Sequence, residues 1–269
     1  MLSLSNNEDS MTSLINFAAY PLSNADKRRA LLTDAKATLQ RDGMVTLDDF
    51  MTTHAVAKTL HIAKPVFETD SFEHRREHNI YFQPKVDGVA PDHPALATLK
   101  TANRTLCADQ LAATPLMKLY EDPAFVGFLA DLMGKPALYT MDDPLARVNA
   151  MTYREGEALN WHFDRSEFTT TILLEAPESG GDFEYRPALR TAEDANYDGV
   201  AKLLKGEDRQ VQSVTLKPGA LNVFKGRNTA HRVTPPVGDT PRTIAVLSYY
   251  EAQGVMFTVE EQIGFYGRA

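Results

Sequence analysis

From about Ala137 onward the chain breaks into short runs rich in Val, Ile, Leu, Phe, Tyr and Thr, separated by Gly, Pro and Asp. The runs are Leu145 to Tyr153, Glu167 to Leu174, Gly181 to Tyr185, Gln212 to Leu216, Ala220 to Phe224, His231 to Thr234 and Thr243 to Tyr250. β-Branched and aromatic residues at this spacing, with turn residues between them, fit a sandwich or a barrel. One segment breaks the pattern. Thr191 to Gly206 passes from Ala192-Glu193-Asp194 to an apolar run, Val200 to Leu204, and reads as a helical insertion or lid between two strands.

The half before Ala137 is built differently. Asn24-Ala25-Asp26 precedes Lys27 to Arg41, where Leu31, Leu32, Ala35 and Leu39 recur at helical spacing, and Asp42-Gly43 ends the pattern. Met44 to Leu47 reads as a strand, and Thr53 to Ala63, Pro94 to Cys107 and Pro115 to Met133 read as helices. Val259 to Gln262 reads as one closing helical turn. The expected class is α+β: an α-rich region over 1–136, integral to the fold, and a β-rich core over 137–269 that carries the insertion 191–206. At 269 residues one domain with a substantial core is expected.

Charge and cysteine content narrow the function. A net charge of -8 argues against a general nucleic-acid binder, which concentrates Lys and Arg against phosphates. Cys107 is the single cysteine, so a metal has to be held by His and carboxylate, and the usage fits a reducing cytoplasm. No stretch approaches the about 18 apolar residues of a membrane span, and Met1 to Ser10 is polar and acidic. A cytoplasmic location is expected.

Of the seven histidines, His162 and His231 alone lie in the β-rich half. In His162-Phe163-Asp164 the two potential ligands are one residue apart, so on an extended segment both side chains point to the same face. Two imidazoles and one carboxylate on one face of an iron(II) leave three positions open, two for a bidentate 2-oxo acid and one for O2. Arg242 follows His231 by eleven residues and opens an apolar strand. A guanidinium there can hold the distal carboxylate of 2-oxoglutarate through two parallel hydrogen bonds. Ordinary sheet histidines and a surface arginine would explain any one of these residues, but not the four together.

The surrounding text resembles the iron(II)/2-oxoglutarate oxygenases of the prolyl-hydroxylase-like superfamily. The matching motifs are Tyr153-Arg-Glu-Gly156, Trp161-His162-Phe-Asp164, Gly180-Gly181-Asp-Phe183, Pro218-Gly219, His231-Arg232-Val233 and Arg242, covering about Asp143 to Tyr250. The resemblance implies a double-stranded β-helix, or jelly roll, with iron on His162, Asp164 and His231 and the cosubstrate near Arg242. By the same analogy Tyr153 contacts the cosubstrate; as a residue alone it could equally be a core aromatic.

Asn160-Trp-His-Phe, the run Glu175 to Tyr185, Pro187-Ala-Leu-Arg190 and His74 to Phe82 look like a smaller family, the radical halogenases and hydroxylases of free amino acids such as lysine. Halogenases of that family carry a small residue, usually Gly, at the carboxylate position; here it is Asp164, which implies hydroxylation. A free amino acid needs a cationic anchor, for which Arg75 and Arg76 are candidates, and an acceptor for its ammonium, for which Asp142 or Asp143 could serve. Trp161 could wall the pocket or fill the core. Arg165 excludes a basic substrate if it faces the pocket, but strand alternation points it away from the iron face. A peptidyl hydroxylase and a non-catalytic metal-binding jelly roll are the competing expectations; the lid reading of 191–206 weighs against the first and Arg242 against the second.

Overall fold

The computed structural model describes residues 13–83, 86 and 88–269. Helix α1, Ala25–Asp42, begins where the Asn24 side chain accepts a hydrogen bond from the Lys27 amide and ends at Gly43, left-handed at φ 73°. Strand β1, Met44–Leu47, follows directly. Helix α2, Thr53–Asp70, continues past Ala63 and through Pro65, because its buried face runs on from Ala63 to Phe67. Packing outweighs the backbone hydrogen bond that proline removes.

The next segment departs from the sequence reading. Phe72–His78 forms strand β2, and the helix expected over Pro94 to Cys107 is a single 3-10 turn, Pro94–Leu96, followed by strand β3, Leu99–Leu106. The helix expected over Pro115 to Met133 is two, α3 (Pro115–Tyr120) and α4 (Pro123–Met133). Asp122 breaks them by capping α4, its Oδ1 accepting from the amides of Ala124 and Phe125.

The β-rich part supplies β4 (Tyr139–Thr140), β5 (Val148–Tyr153), β6 (Leu159–His162), β7 (Thr169–Glu175), β8 (Ser179–Gly180) and β9 (Phe183–Arg186). Helix α5 (Tyr197–Leu204) is the insertion, followed by β10 (Gln212–Val214), β11 (Leu221–Phe224), β12 (Ala230–Val233), β13 (Pro236–Val237), β14 (Arg242–Leu247), β15 (Tyr249–Tyr250) and helix α6 (Val259–Tyr266).

Among the described residues the strands form a seven-stranded sheet, ordered β1-β11-β7-β14-β5-β3-β2, a four-stranded one, ordered β10-β9-β12-β6, and the two-stranded pairs β13-β8 and β15-β4. Neighbouring strands in the two larger sheets are antiparallel. This is a jelly-roll core with helices packed outside. Alternation sorts each strand: Ile172, Leu174, Leu221, Val223, Ala245 and Leu247 turn outward into the main core with α1 to α4. Leu173, Tyr153, Ile244 and Leu216 turn inward, as do Phe183, Phe224 and Val233. Each large apolar side chain so buried contributes about 2 kcal/mol. Among the described residues no helix is long and apolar enough to cross a membrane.

Candidate metal and cosubstrate site

β6 and β12 are neighbours, and their register sets His162 directly opposite His231 with ring centroids 4.1 Å apart. Asp164 lies two residues past the end of β6, where its amide donates to the Gly226 carbonyl at 3.1 Å. That contact turns its carboxylate toward the imidazoles. Asp164 Oδ1 is 3.4 Å from His162 Nε2, and Oδ2 is 3.5 Å from His231 Nε2. One donor atom from each of the three residues lies within 4.8 Å of the others.

Protonation is set from behind. His162 Nδ1 meets the Asn160 carbonyl at 2.8 Å and His231 Nδ1 meets the Thr229 carbonyl at 3.0 Å. A carbonyl can only accept, so each Nδ1 carries a proton, and Nε2, the nitrogen that faces Asp164, is the atom that would ligate a metal. Burial, aided by the neighbouring His231, pushes the His162 pKa down and favours the neutral ligand form. Burial would raise Asp164, but His231 and His162 hold its carboxyl well below the usual range. Two imidazoles and one carboxylate are the donor set of a mononuclear iron(II) site with open coordination positions, and the residues fit that ion.

Two residues that sequence reasoning passed over shape this corner. The Thr169 hydroxyl donates to Asp164 Oδ2. A Cβ on Gly226 would stand 2.3 Å from that oxygen and 2.7 Å from Thr169 Oγ1. Only glycine lets the chain lie so close. No motif marks either residue in the sequence.

Arg242 opens β14 and sits opposite Tyr153 of β5 in register. It is 1% exposed. Its Nε donates to the Gly181 carbonyl at 2.9 Å, while both terminal nitrogens are buried without a partner. Desolvation pushes its pKa down to about 10. Gly181, at φ 67°, passes so near that a Cβ there would be 3.0 Å from Arg242 Cδ. The guanidinium borders a cavity of about 260 Å³ lined also by Leu173, Pro177 and Leu216. Two buried terminal nitrogens without a partner, at a recess lined by these apolar side chains and also by Glu178, Asp182 and Thr215, fit a carboxylate, as the distal end of 2-oxoglutarate provides. Tyr153 is wholly buried, its hydroxyl facing the Met151 sulfur at 3.6 Å, and burial pushes its pKa up to about 12.

The remaining sequence candidates scatter. Arg76 is on the inward face of β2, its Nε buried without a partner and its guanidinium carbon 4.3 Å above the Phe82 ring. Phe82 in turn meets the His162 ring edge-on at 5.9 Å. Arg75 points outward to Glu73 and to Glu157. Asp142 is exposed, and Asp143 is fully buried with its oxygens accepting from the Leu145, Ala146 and Phe257 amides and from Gln262. That saturated carboxylate pins α6 to the core and has no capacity for an ammonium. Arg165 has a side chain 69% exposed and pairs with Glu261. Trp161, one residue off the His162 register, packs outward with Ile80, Leu189, Val200 and Leu203. The insertion therefore covers the back of β6, not the metal face.

The jelly-roll fold recurs in solved structures. AviO1 from Streptomyces viridochromogenes Tue57 is similar at 16% identity and a TM-score of 0.56, over 83% of this chain and 96% of that one. The epimerase SnoN from nogalamycin biosynthesis, solved with Fe3+, alpha ketoglutarate and nogalamycin RO, is similar at 18% identity and a TM-score of 0.54, over 84% and 88%. A 2OG-Fe(II) oxygenase family oxidoreductase from Burkholderia pseudomallei is similar at 15% identity and a TM-score of 0.52, over 83% and 92%. No curated protein matches the chain in sequence. The family model HalD: Halogenase D matches residues 27–261, and on that match the chain belongs to the halogenase D family.

Proposed function

We propose that the protein is an iron(II)- and 2-oxoglutarate-dependent hydroxylase that oxidises an unactivated C–H bond of a free amino acid. The observation that carries the reading is Arg242: a buried guanidinium with two unpartnered nitrogens, in the same barrel as His162, Asp164 and His231. A metal-binding module without turnover has no use for such an anchor.

His162, Asp164 and His231 would hold the iron, and Arg242, with Tyr153 beside it, would hold the distal carboxylate of the cosubstrate. When bound, iron and 2-oxoglutarate activate O2 and supply, with release of succinate and carbon dioxide, the oxidant that removes a hydrogen atom. The protein's share is to exclude water and hold one C–H bond in reach. Arg76 is the better substrate anchor of the two adjacent arginines: it faces inward with an unpartnered Nε, whereas Arg75 is neutralised by Glu73 and Glu157. Asp164 supports hydroxyl over halide transfer, because its carboxylate stands between both imidazoles at the position that halogenases leave to a small residue. Arg165, engaged with Glu261, places no sign on the substrate.

The test is succinate release from the iron-loaded protein in air with each of the common amino acids. At least one should stimulate release and gain an oxygen atom. Release that no amino acid stimulates, with a competent iron site, overturns the substrate class.

A further inference from the structure

One aromatic ring, Phe82, touches both the Arg76 guanidinium and the His162 ring, and its backbone is strained. Phe82 has φ 54°, a left-handed conformation that is unfavourable for a bulky side chain. Strain of this kind persists only where the surroundings over-determine it. Here they do. Asn79 Oδ1 accepts from the Tyr81 and Gln83 amides, Asn79 Nδ2 donates to the Gln83 carbonyl, and the Phe82 amide donates to the Asn79 carbonyl at 3.0 Å. The loop is also tied to the metal strand, the Ile80 carbonyl accepting from the Phe163 amide at 3.3 Å. On its far side the Tyr81 hydroxyl donates to the Ala195 carbonyl, and the Tyr81 ring packs on Tyr197 of α5 and on Phe163.

Ile80 and Tyr81 thus anchor the loop to the core and the insertion, and Phe82 is left with its ring toward the site, 37% exposed. The ring lies 4.5 Å from His78, 4.3 Å from the Arg76 guanidinium carbon and 5.9 Å from His162. A core-filling aromatic would be buried.

We infer that Phe82 is a specificity-determining residue: its ring forms the wall between the Arg76 anchor and the metal, against which the aliphatic part of the substrate lies, and so sets the substrate length that brings a C–H bond to the oxidant. The inference rests on the hydroxylase reading. It also gives the helical insertion a role, as the support behind the loop that carries Phe82.

The experiment compares the wild-type protein with Phe82→Ala and Phe82→Asn. Asparagine tolerates the left-handed backbone and lacks the ring, so it separates loss of the wall from relief of strain. Each protein, loaded with iron(II), is assayed for 2-oxoglutarate binding without O2, by the visible charge-transfer band. It is then assayed with aspartate, glutamate, aminoadipate, ornithine and lysine for succinate release and for hydroxylated product. Both variants should keep the band. They should lose about 10-fold or more in kcat/KM on the preferred amino acid, shift preference toward a longer or bulkier one, and release succinate with less product. Variants that keep the band and also the wild-type ranking and product yield overturn the role of Phe82 alone. Absence of the band from the wild-type protein overturns the reading beneath it.

Discussion

Arg242 carries a charge into the barrel with only the Gly181 carbonyl to meet its Nε, and a desolvated guanidinium whose two terminal nitrogens lack a partner destabilises the ligand-free protein. Arg242→Met should therefore raise the stability of the ligand-free form by about 1–3 kcal/mol while abolishing the stabilisation that 2-oxoglutarate gives the wild type. Thermal unfolding with and without the cosubstrate measures both; a variant that still gains from 2-oxoglutarate contradicts the assignment. Gly226 makes the opposite kind of prediction. Gly226→Ala forces a methyl onto Asp164 Oδ2 and Thr169 Oγ1, so iron(II) affinity should fall about 10- to 100-fold with the fold intact. Metal titration under nitrogen checks it, and an unchanged dissociation constant would show that the carboxylate is not held where it is drawn.

At the scale of elements, Asp143 ties the turn before β5 to α6 through bonds from the Leu145, Ala146 and Phe257 amides and from Gln262. Burial alone would raise its pKa, but those donors lower it below the ordinary carboxylate value. A depressed folded-state pKa contributes stability that is complete above the unfolded value and is lost as pH falls through the folded one. Wild-type stability should then drop on acidification below the ordinary carboxylate range, whereas Asp143→Asn should be less stable at neutral pH and less sensitive to acid. Equilibrium unfolding at several pH values decides this; parallel curves for the two proteins would contradict it. Helix α5 gives a second test. Val200 and Leu203 are buried against Trp161, so their amides should exchange hydrogen slowly, and fast exchange would mean a mobile lid after all.

The same elements show what could be read from the sequence. β7, β11 and β14 were legible because their outward residues enter an apolar core, which writes hydrophobic periodicity into the chain. β2 and β3 were not. Their inward side chains, His74, Arg76 and His78 on one and Thr101, Asn103 and Thr105 on the other, are polar, so alternation carries no hydropathy signal. His162, Asp164 and His231, which the structure brings together, could be singled out because chelation calls for such types at such spacing, and Arg242 because a charge opening an apolar strand needs a partner. Asp143 was misplaced as a substrate residue because sequence cannot tell a carboxylate that is saturated from one that is free. Thr169 and Gly226 shape the surroundings of Asp164 through geometry and carry no motif.

Across the whole molecule, the face of the candidate metal ligands comes from β6 and β12, the Arg242 recess from β14 and β5, and Arg76 from β2, which reaches the sheet through β3. One sheet therefore draws on both halves of the chain. A fragment of residues 137–269 would expose the edges that β1 and β3 cover, and it should fail to fold or to bind iron. The central claim is that this shared barrel binds iron(II) on His162, Asp164 and His231 with 2-oxoglutarate chelated to it and anchored by Arg242. Mixing the metal-free protein with iron(II) and then 2-oxoglutarate under nitrogen tests that most directly. A weak visible charge-transfer band should appear in the wild type and vanish in His162→Ala; a folded wild-type protein that gives no band contradicts the account.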